Sequence, residues 1–187
     1  PPSMHTFADT WGDIRGMCIY GKEKNRLYIN RGADARPQFI DVADVVGMSE
    51  ATNSRGISGV DLNNDGRLDM VVTHMFSPPT IYSNTPTAEA MRTHWISITL
   101  SNKLGKNCSR EGIGSTVKIG NKSGELQMRE MQVVSGLSAQ NERRLHFGLG
   151  SDSKPQDISV TWCGQETEIF QGLLVNRAHV LERGKKR

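Results

Sequence analysis

The stretch Asp61-Leu62-Asn63-Asn64-Asp65-Gly66-Arg67-Leu68-Asp69 carries oxygen-bearing side chains at its first, third, fifth and ninth positions and glycine at its sixth. Calcium takes six to eight hard oxygen ligands, and alternate residues of a tight loop can turn inward to supply them. Glycine at the sixth position permits the left-handed backbone that such a turn needs. Three carboxylates this close repel one another unless a cation lies among them. The candidate ligands are therefore Asp61, Asn63, Asp65, the backbone carbonyl of Arg67, and Asp69. An EF-hand would place a glutamate at the twelfth position, where Val72 stands, and the loop runs directly into the strand-like Met70-Val71-Val72-Thr73. That excludes an EF-hand and favours a calcium loop within a β blade. The plain alternative is an Asx-rich turn between strands. An upstream counterpart, Asp13-Ile14-Arg15-Gly16, lacks the ligands and is expected to be metal-free.

No other constellation points to catalysis, so the chain is expected not to be an enzyme. The five histidines (His5, His74, His94, His146, His179) are far apart and none lies in an HExxH spacing. His146, between Leu145 and Phe147, is expected to be a hydrogen-bonded structural residue. No serine sits in G-x-S-x-G. Gly112-Ile113-Gly114 leads into β-branched Thr116, Val117 and Ile119, so the helix that a phosphate loop requires is missing. Glu166 and Glu168 share one strand face and read as solvated. Trp11, Trp95 and Trp162 are expected in the core, with a sugar-binding platform as the second use. Arg110, Arg143 and Arg144 could form a patch for an acidic partner, provided that loops bring them together.

Cys18, Cys108 and Cys163 make no zinc spacing, and their odd number leaves at least one thiol unpaired within the chain. A Cys108–Cys163 disulfide, with Cys18 reduced, is the expectation for an oxidising compartment. Asn107-Cys108-Ser109 and Asn121-Lys122-Ser123 are acceptor triplets for glycosylation at Asn107 and Asn121. The opening Pro1-Pro2-Ser3, without an initiator Met or a leader, reads as a processed product or a piece of a longer chain.

The elements that would position these residues are almost all strands. Ile96, Ile98 and Leu100 alternate with Ser97 and Thr99, and Ile158, Val160 and Trp162 alternate with Ser159 and Thr161, each a strand with one buried face. Short β-branched runs recur every ten to fifteen residues between Gly, Asn, Asp, Ser and Pro, the all-β pattern. One short helix is expected around Asp41–Gly47. Asn25–Asn30 is echoed by Pro79–Asn84, a period of 54 residues consistent with propeller blades. The echo ends near Thr85-Pro86-Thr87, so residues 1–88 and 89–187 are expected to be separate domains.

Composition bounds the classes. The chain has 187 residues, 36% hydrophobic, with a formal charge of +3 and a mean hydropathy of −0.49. No apolar run nears the roughly 18 residues of a membrane helix. Residues 1–88 hold 8 basic and 10 acidic side chains, against 15 and 10 in residues 89–187. That surplus is dispersed, where a dedicated nucleic-acid binder concentrates it.

The runs "NRLYIN" (Asn25–Asn30) and "NSRGISGVDLNNDGRLDMVV" (Asn53–Val72) resemble FG-GAP (VCBS-type) repeats. "REGIGSTVKI" (Arg110–Ile119), "RRLHFGLGS" (Arg143–Ser151) and "DISVTW" (Asp157–Trp162) resemble the ASPIC/UnbV domain, which follows FG-GAP repeats in the cartilage acidic protein family and its bacterial relatives. Two departures are the lost first calcium loop and Trp162-Cys163-Gly164 in place of a Trp-Pro-x-Gly turn. Cys163 is therefore either paired or simply filling that turn. The resemblance implies a partial β-propeller followed by a β-sandwich or small barrel. It also implies a secreted, non-catalytic, calcium-dependent adhesion or matrix protein with a protein or acidic-glycan partner. Unpaired propeller edges are a liability, so further blades or another chain are expected to cover them. The rival expectation is a structural subunit docked in a larger assembly, in an organelle or at a surface.

Overall fold

Strand patterning decides the architecture. The computed structural model describes residues 24–75, 77–88, 90–105, 107–120, 126–136, 139–154 and 157–185. Cys18, Asn121, Trp11, His5 and the Asp13–Gly16 segment lie outside them. Twelve strands are named: β1 (Tyr28–Asn30), β2 (Phe39–Asp41), β3 (Ser54–Val60), β4 (Asp69–His74), β5 (Ser77–Tyr82), β6 (His94–Ser101), β7 (Thr116–Gly120), β8 (Leu126–Glu130), β9 (Leu145–Gly150), β10 (Ile158–Thr161), β11 (Thr167–Phe170) and β12 (Arg177–Glu182). Among the described residues there is no α-helix, and the class is all-β. No closed barrel or propeller forms among them; β3, β4 and β5 make an open three-stranded sheet.

The main core lies between two sheets, ordered β11-β10-β7-β8 and β12-β6-β9. Ile96, Ile98 and Leu100 of β6, Phe147 and Leu149 of β9, and Leu181 of β12 point inward from one sheet. Val117, Ile119, Ile158, Val160 and Phe170 point inward from the other. The alternating residues seen in the sequence are thus the facing layers of a sandwich. β12 runs parallel to β6 while β9 runs antiparallel to it, so β6 is the central strand of its sheet and the most deeply buried.

Trp162 is wholly buried beside this core and donates its indole N–H to the Glu168 carboxylate at 2.9 Å. Glu168 is also buried and accepts the Gly184 amide at 2.9 Å. Its expected solvation is therefore corrected: a carboxylate enters this site because both donors are already there. Glu166, just before β11, accepts the Arg183 guanidinium at 2.8 Å, and that bond holds its carboxyl below the ordinary range.

The chain divides into two compact units. One comprises Thr73–Thr80 with the described residues up to Arg55. In it β1 pairs antiparallel with β2, and Ser54, His74 and Thr80 form a cross-strand polar ladder at 3.2 and 2.9 Å. The other comprises Gly56–Val72 with Ile81 onward, so the acidic loop groups with the sandwich.

The helix expected at Asp41–Gly47 is not formed. Asp41 closes β2, and Val42 accepts the N–H groups of both Val45 and Val46 in one turn that stops at Gly47. Pairing of Phe39–Asp41 with β1 takes Ile40 into a strand, leaving too few residues for a helix. β3 was not expected either, because Ser54-Arg55-Gly56-Ile57-Ser58-Gly59-Val60 has two glycines and no clean alternation.

Cys108 and Cys163 form a disulfide that closes 55 residues of chain. It joins the loop after β6 to the turn Trp162–Gly164. There Cys163 has φ +46° and donates its N–H to the buried Ser115 hydroxyl at 3.0 Å. Closing a loop of this length restricts the unfolded chain by about 2–4 kcal/mol. The Cys108→Ser/Cys163→Ser double variant is expected to lose that amount in urea unfolding, and mapping of unreduced peptides should recover the two cysteines as one linked species.

Candidate functional site

The loop from Asp61 to Asp69 connects β3 to β4, and backbone amides shape it. The Asp61 carboxylate accepts the Asp65 N–H at 3.1 Å and the Gly66 N–H at 2.9 Å. Asn63 Oδ1 also accepts the Asp65 N–H, at 3.2 Å. Asp69 accepts the amides of Leu62 at 3.1 Å and Asn84 at 2.8 Å, tying the loop's two ends and the segment after β5. Asp61 and Asp69 are only 4% and 5% exposed, and among the described residues every hydrogen-bond donor on their carboxylates is a backbone N–H.

Asp65 is treated differently. It accepts the Arg67 N–H, the Asn63 amide and the Arg67 guanidinium. Partial burial opposes its ionisation, but these donors outweigh burial and hold its carboxyl below the usual range. The donor set suits a hard divalent cation: two nearly buried carboxylates with no basic partner among the described residues, a third carboxylate, an amide oxygen and a carbonyl. The side chains are not gathered into a cage. Among the described residues no three Asp, Glu, His or Cys side chains converge as a metal-sized group. Arg67 holds Asp65 where an ion would otherwise attract it.

Two contacts fix the loop against the sandwich. Gly66 has φ +85°, and its α-carbon lies so close to Trp95 of β6 that an added Cβ would fall 1.8 Å from the indole Cε2. The glycine is thus required twice, for its backbone conformation and for the approach of the indole. The second contact comes from the residues before β9. Arg144 donates to Asn64 Oδ1 at 2.8 Å and to the Asp61 carbonyl at 3.1 Å, and pairs with Glu142 at 2.7 Å. Glu142 in turn accepts the Asp61 N–H at 3.2 Å. These partners lie about 80 residues from the loop in sequence, so no local spacing could have revealed them.

The arginines expected to form a basic patch have partners of their own. Arg144 is committed to the loop, Arg143 pairs with Glu111, and Arg110 is exposed with its carbonyl accepting the Asn102 amide. Asn107 is exposed and accessible in a turn with φ +49°. Trp95 is not a core residue like Trp162: it lies on the outer face of the β12-β6-β9 sheet, stacked at 5.9 Å on His146 of β9. The expectation for His146 also needs correction, since neither ring nitrogen has a hydrogen-bond partner among the described residues. Burial lowers its pKa below the ordinary imidazole value, against the opposing charges of Asp61 and Glu142. Two clefts flank it. One, of about 570 Å³, runs between the loop and His94, Trp95 and Asn176. The other, of about 410 Å³, borders Met128, Val134 and Arg144.

Together these features define an all-β module that carries an acidic Asx loop on one outer face of a disulfide-closed sandwich. Residues 105–187 match the family model described as ASPIC and UnbV, in accord with the motifs at Arg110–Ile119, Arg143–Ser151 and Asp157–Trp162. The chain is also similar to cartilage acidic protein 1 of Xenopus tropicalis, 26% identical over 155 residues, covering 80% of this chain and 22% of that protein. The chain therefore spans less than a quarter of that relative's length.

Gly66→Ala is expected to cost about 2–4 kcal/mol, combining left-handed strain with displacement of Trp95. Arg144→Ala, which leaves the Asp61 carbonyl and Asn64 without their donor, is expected to cost about 1–3 kcal/mol. Urea denaturation of both variants, with Arg143→Ala as the near-neutral comparison, measures the difference.

Proposed function

We propose that this chain is a non-catalytic, calcium-stabilised binding or scaffold module that works outside the cell. The observation that carries the reading is the pair Asp61 and Asp69, two nearly buried carboxylates served, among the described residues, only by backbone amides. A divalent ion would be held by Asp61, Asn63, Asp65, the Arg67 carbonyl and Asp69, and would supply the positive charge these oxygens lack. Arg67 then competes with the ion for Asp65. The extracellular setting is supported by the Cys108–Cys163 disulfide, which persists in oxidising compartments, and by the likeness to cartilage acidic protein 1. In this reading β3–β5 are one FG-GAP-type blade of a longer propeller. Among the described residues no helix is long and apolar enough to cross a membrane.

A second reading, a structural subunit docked in a larger assembly, is favoured by one observation. Tyr28, Ile29 and Phe39 of the β1–β2 pair are all about half exposed or more, an apolar surface that suits a protein partner. An acidic-glycan partner gains no support from the arginines, because Arg143 and Arg144 are already paired within the chain.

Differential scanning calorimetry of the oxidised chain tests the calcium reading. At calcium a hundredfold above its Kd the stabilisation is about 2.7 kcal/mol, roughly 5–10 °C in Tm for a chain of this size. Asp65→Ala should abolish the shift, and Arg67→Ala should enlarge it by removing the competitor. Identical Tm values in calcium and in EDTA for the unsubstituted chain would overturn the reading.

A further inference from the structure

We infer that Asn107 is an N-glycosylation acceptor whose occupancy is set by competition with closure of the Cys108–Cys163 disulfide. The inference rests on the extracellular setting proposed above. It adds a covalent modification in which the acidic loop takes no part.

The first observation is that the acceptor triplet Asn107-Cys108-Ser109 has a disulfide-bonded cysteine as its middle residue. In the folded chain the triplet is locked. Cys108 is joined to Cys163, the Asn107 carbonyl accepts the Gln165 side-chain amide at 3.0 Å, and the Ser109 hydroxyl accepts the Ile113 N–H at 2.7 Å. Asn107 itself is held in a left-handed turn with φ +49°. A transferase that reads Asn-x-Ser must take up the amide and the hydroxyl together. Here the hydroxyl is engaged and a cross-link pins the backbone between the two, so acceptance belongs to the chain before it folds. Cys163 follows Cys108 by 55 residues, and synthesis at about 5–20 residues per second delivers it about 3–11 s later. Disulfide formation itself takes seconds or longer. The triplet is therefore open for a window of seconds, and the cross-link ends it.

The second observation is that the finished fold accommodates the product. Asn107 is exposed, and its contact with Gln165 is made by the backbone carbonyl. Its side-chain amide has no hydrogen-bond partner among the described residues, so a glycan on Nδ2 breaks none of their bonds. The position also keeps the glycan away from the acidic loop. Gly66 meets Trp95 at the start of β6, whereas Asn107 lies beyond its other end. A strand of eight residues separates the two by about 25 Å.

The two competing steps are chemically distinct. In the transfer, Asn107 Nδ2 attacks the anomeric carbon of a lipid-pyrophosphate-linked oligosaccharide supplied by the secretory pathway. The N–C bond forms, the C–O bond to pyrophosphate breaks, the lipid pyrophosphate leaves, and the amide proton passes to a base of the transferase. In the closure, the Cys108 and Cys163 thiols are oxidised to one disulfide. Their two electrons and two protons go to a disulfide of the compartment's oxidoreductases, which is reduced to a dithiol.

The test is peptide mass mapping of the full chain made in a eukaryotic secretory host behind a cleavable leader. Glycosidase release in heavy-oxygen water marks each occupied asparagine, in cell lysate and in medium. Asn107 is expected to be occupied in a fraction of the unsubstituted chains, and Cys163→Ser should raise that fraction about twofold or more. A reducing agent present during synthesis should raise it in the unsubstituted chain and leave Cys163→Ser unchanged. Ser109→Ala should abolish it. Because transfer precedes folding, the lysate gives the answer even for a variant that fails to fold. Absence of glycan on Asn107 in both the unsubstituted chain and Cys163→Ser would overturn the proposal, as would equal occupancy in the two. An intact disulfide alongside either result rejects this inference alone. Cys108 found alkylated without reductant in the secreted chain rejects both the competition and the disulfide's support for an extracellular setting.

Discussion

Three carboxylates within nine residues repel, and each must be given a donor or a cation before the chain between β3 and β4 can settle into one conformation. Here the donors are chiefly the loop's own backbone. Asp61 captures the amides of Asp65 and Gly66, Asp69 captures those of Leu62 and Asn84, and Arg67 completes Asp65. Because Asp61 and Asp69 are almost buried, these bonds form where water competes least. The outcome is a stiff loop with Gly66 at its apex. That apex is small enough to rest on Trp95, so the electrostatic solution and the packing solution depend on the same residue.

The sandwich supports the loop through polar contacts, whereas its own interior is joined by apolar ones. Between the sheets, Ile96, Ile98, Phe147, Val117 and Val160 exclude water and set the spacing. On the outer face of the same sheet, Trp95 of β6 meets the loop at Gly66, and His146 of β9 stacks on Trp95. Strand alternation thus builds two environments from one sheet, and β6, the central strand, contributes to both. The disulfide acts at another place, fastening the loop after β6 to the turn after β10. The buried Trp162–Glu168–Gly184 contacts then close that end of the molecule.

Much of this was legible in the chain itself. Alternation in Trp95–Leu100 and Asp157–Trp162 identified the core strands, because a half-buried strand must repeat every two residues. The Asx spacing at Asp61–Asp69 identified the loop, because the hydrogen bonds within it run between residues two to seven apart. The ASPIC/UnbV motifs located the region that the family model matches. Local reading failed where long-range pairing overrode it. Ile40 and its neighbours joined β1 rather than coiling into a helix, and glycine-rich Ser54–Val60 became a strand because β4 was there to pair with it.

What only the tertiary structure decided is the use of side chains whose partners are distant in sequence. Arg144 read as part of an acidic-partner patch and proves to clamp a loop some 80 residues away. Glu168 read as solvated and is buried, because Trp162 and Gly184 meet it there. His146 read as a bonded structural residue and stands without a partner beside Ser97, since its surroundings are made by two other strands and the loop. Sequence by itself determined the all-β class, the core faces and the loop's turn chemistry, all consequences of periodicity and short-range hydrogen bonding. Burial, charge pairing and clefts depend on which distant segments the fold brings together, and neither composition nor spacing contains that information.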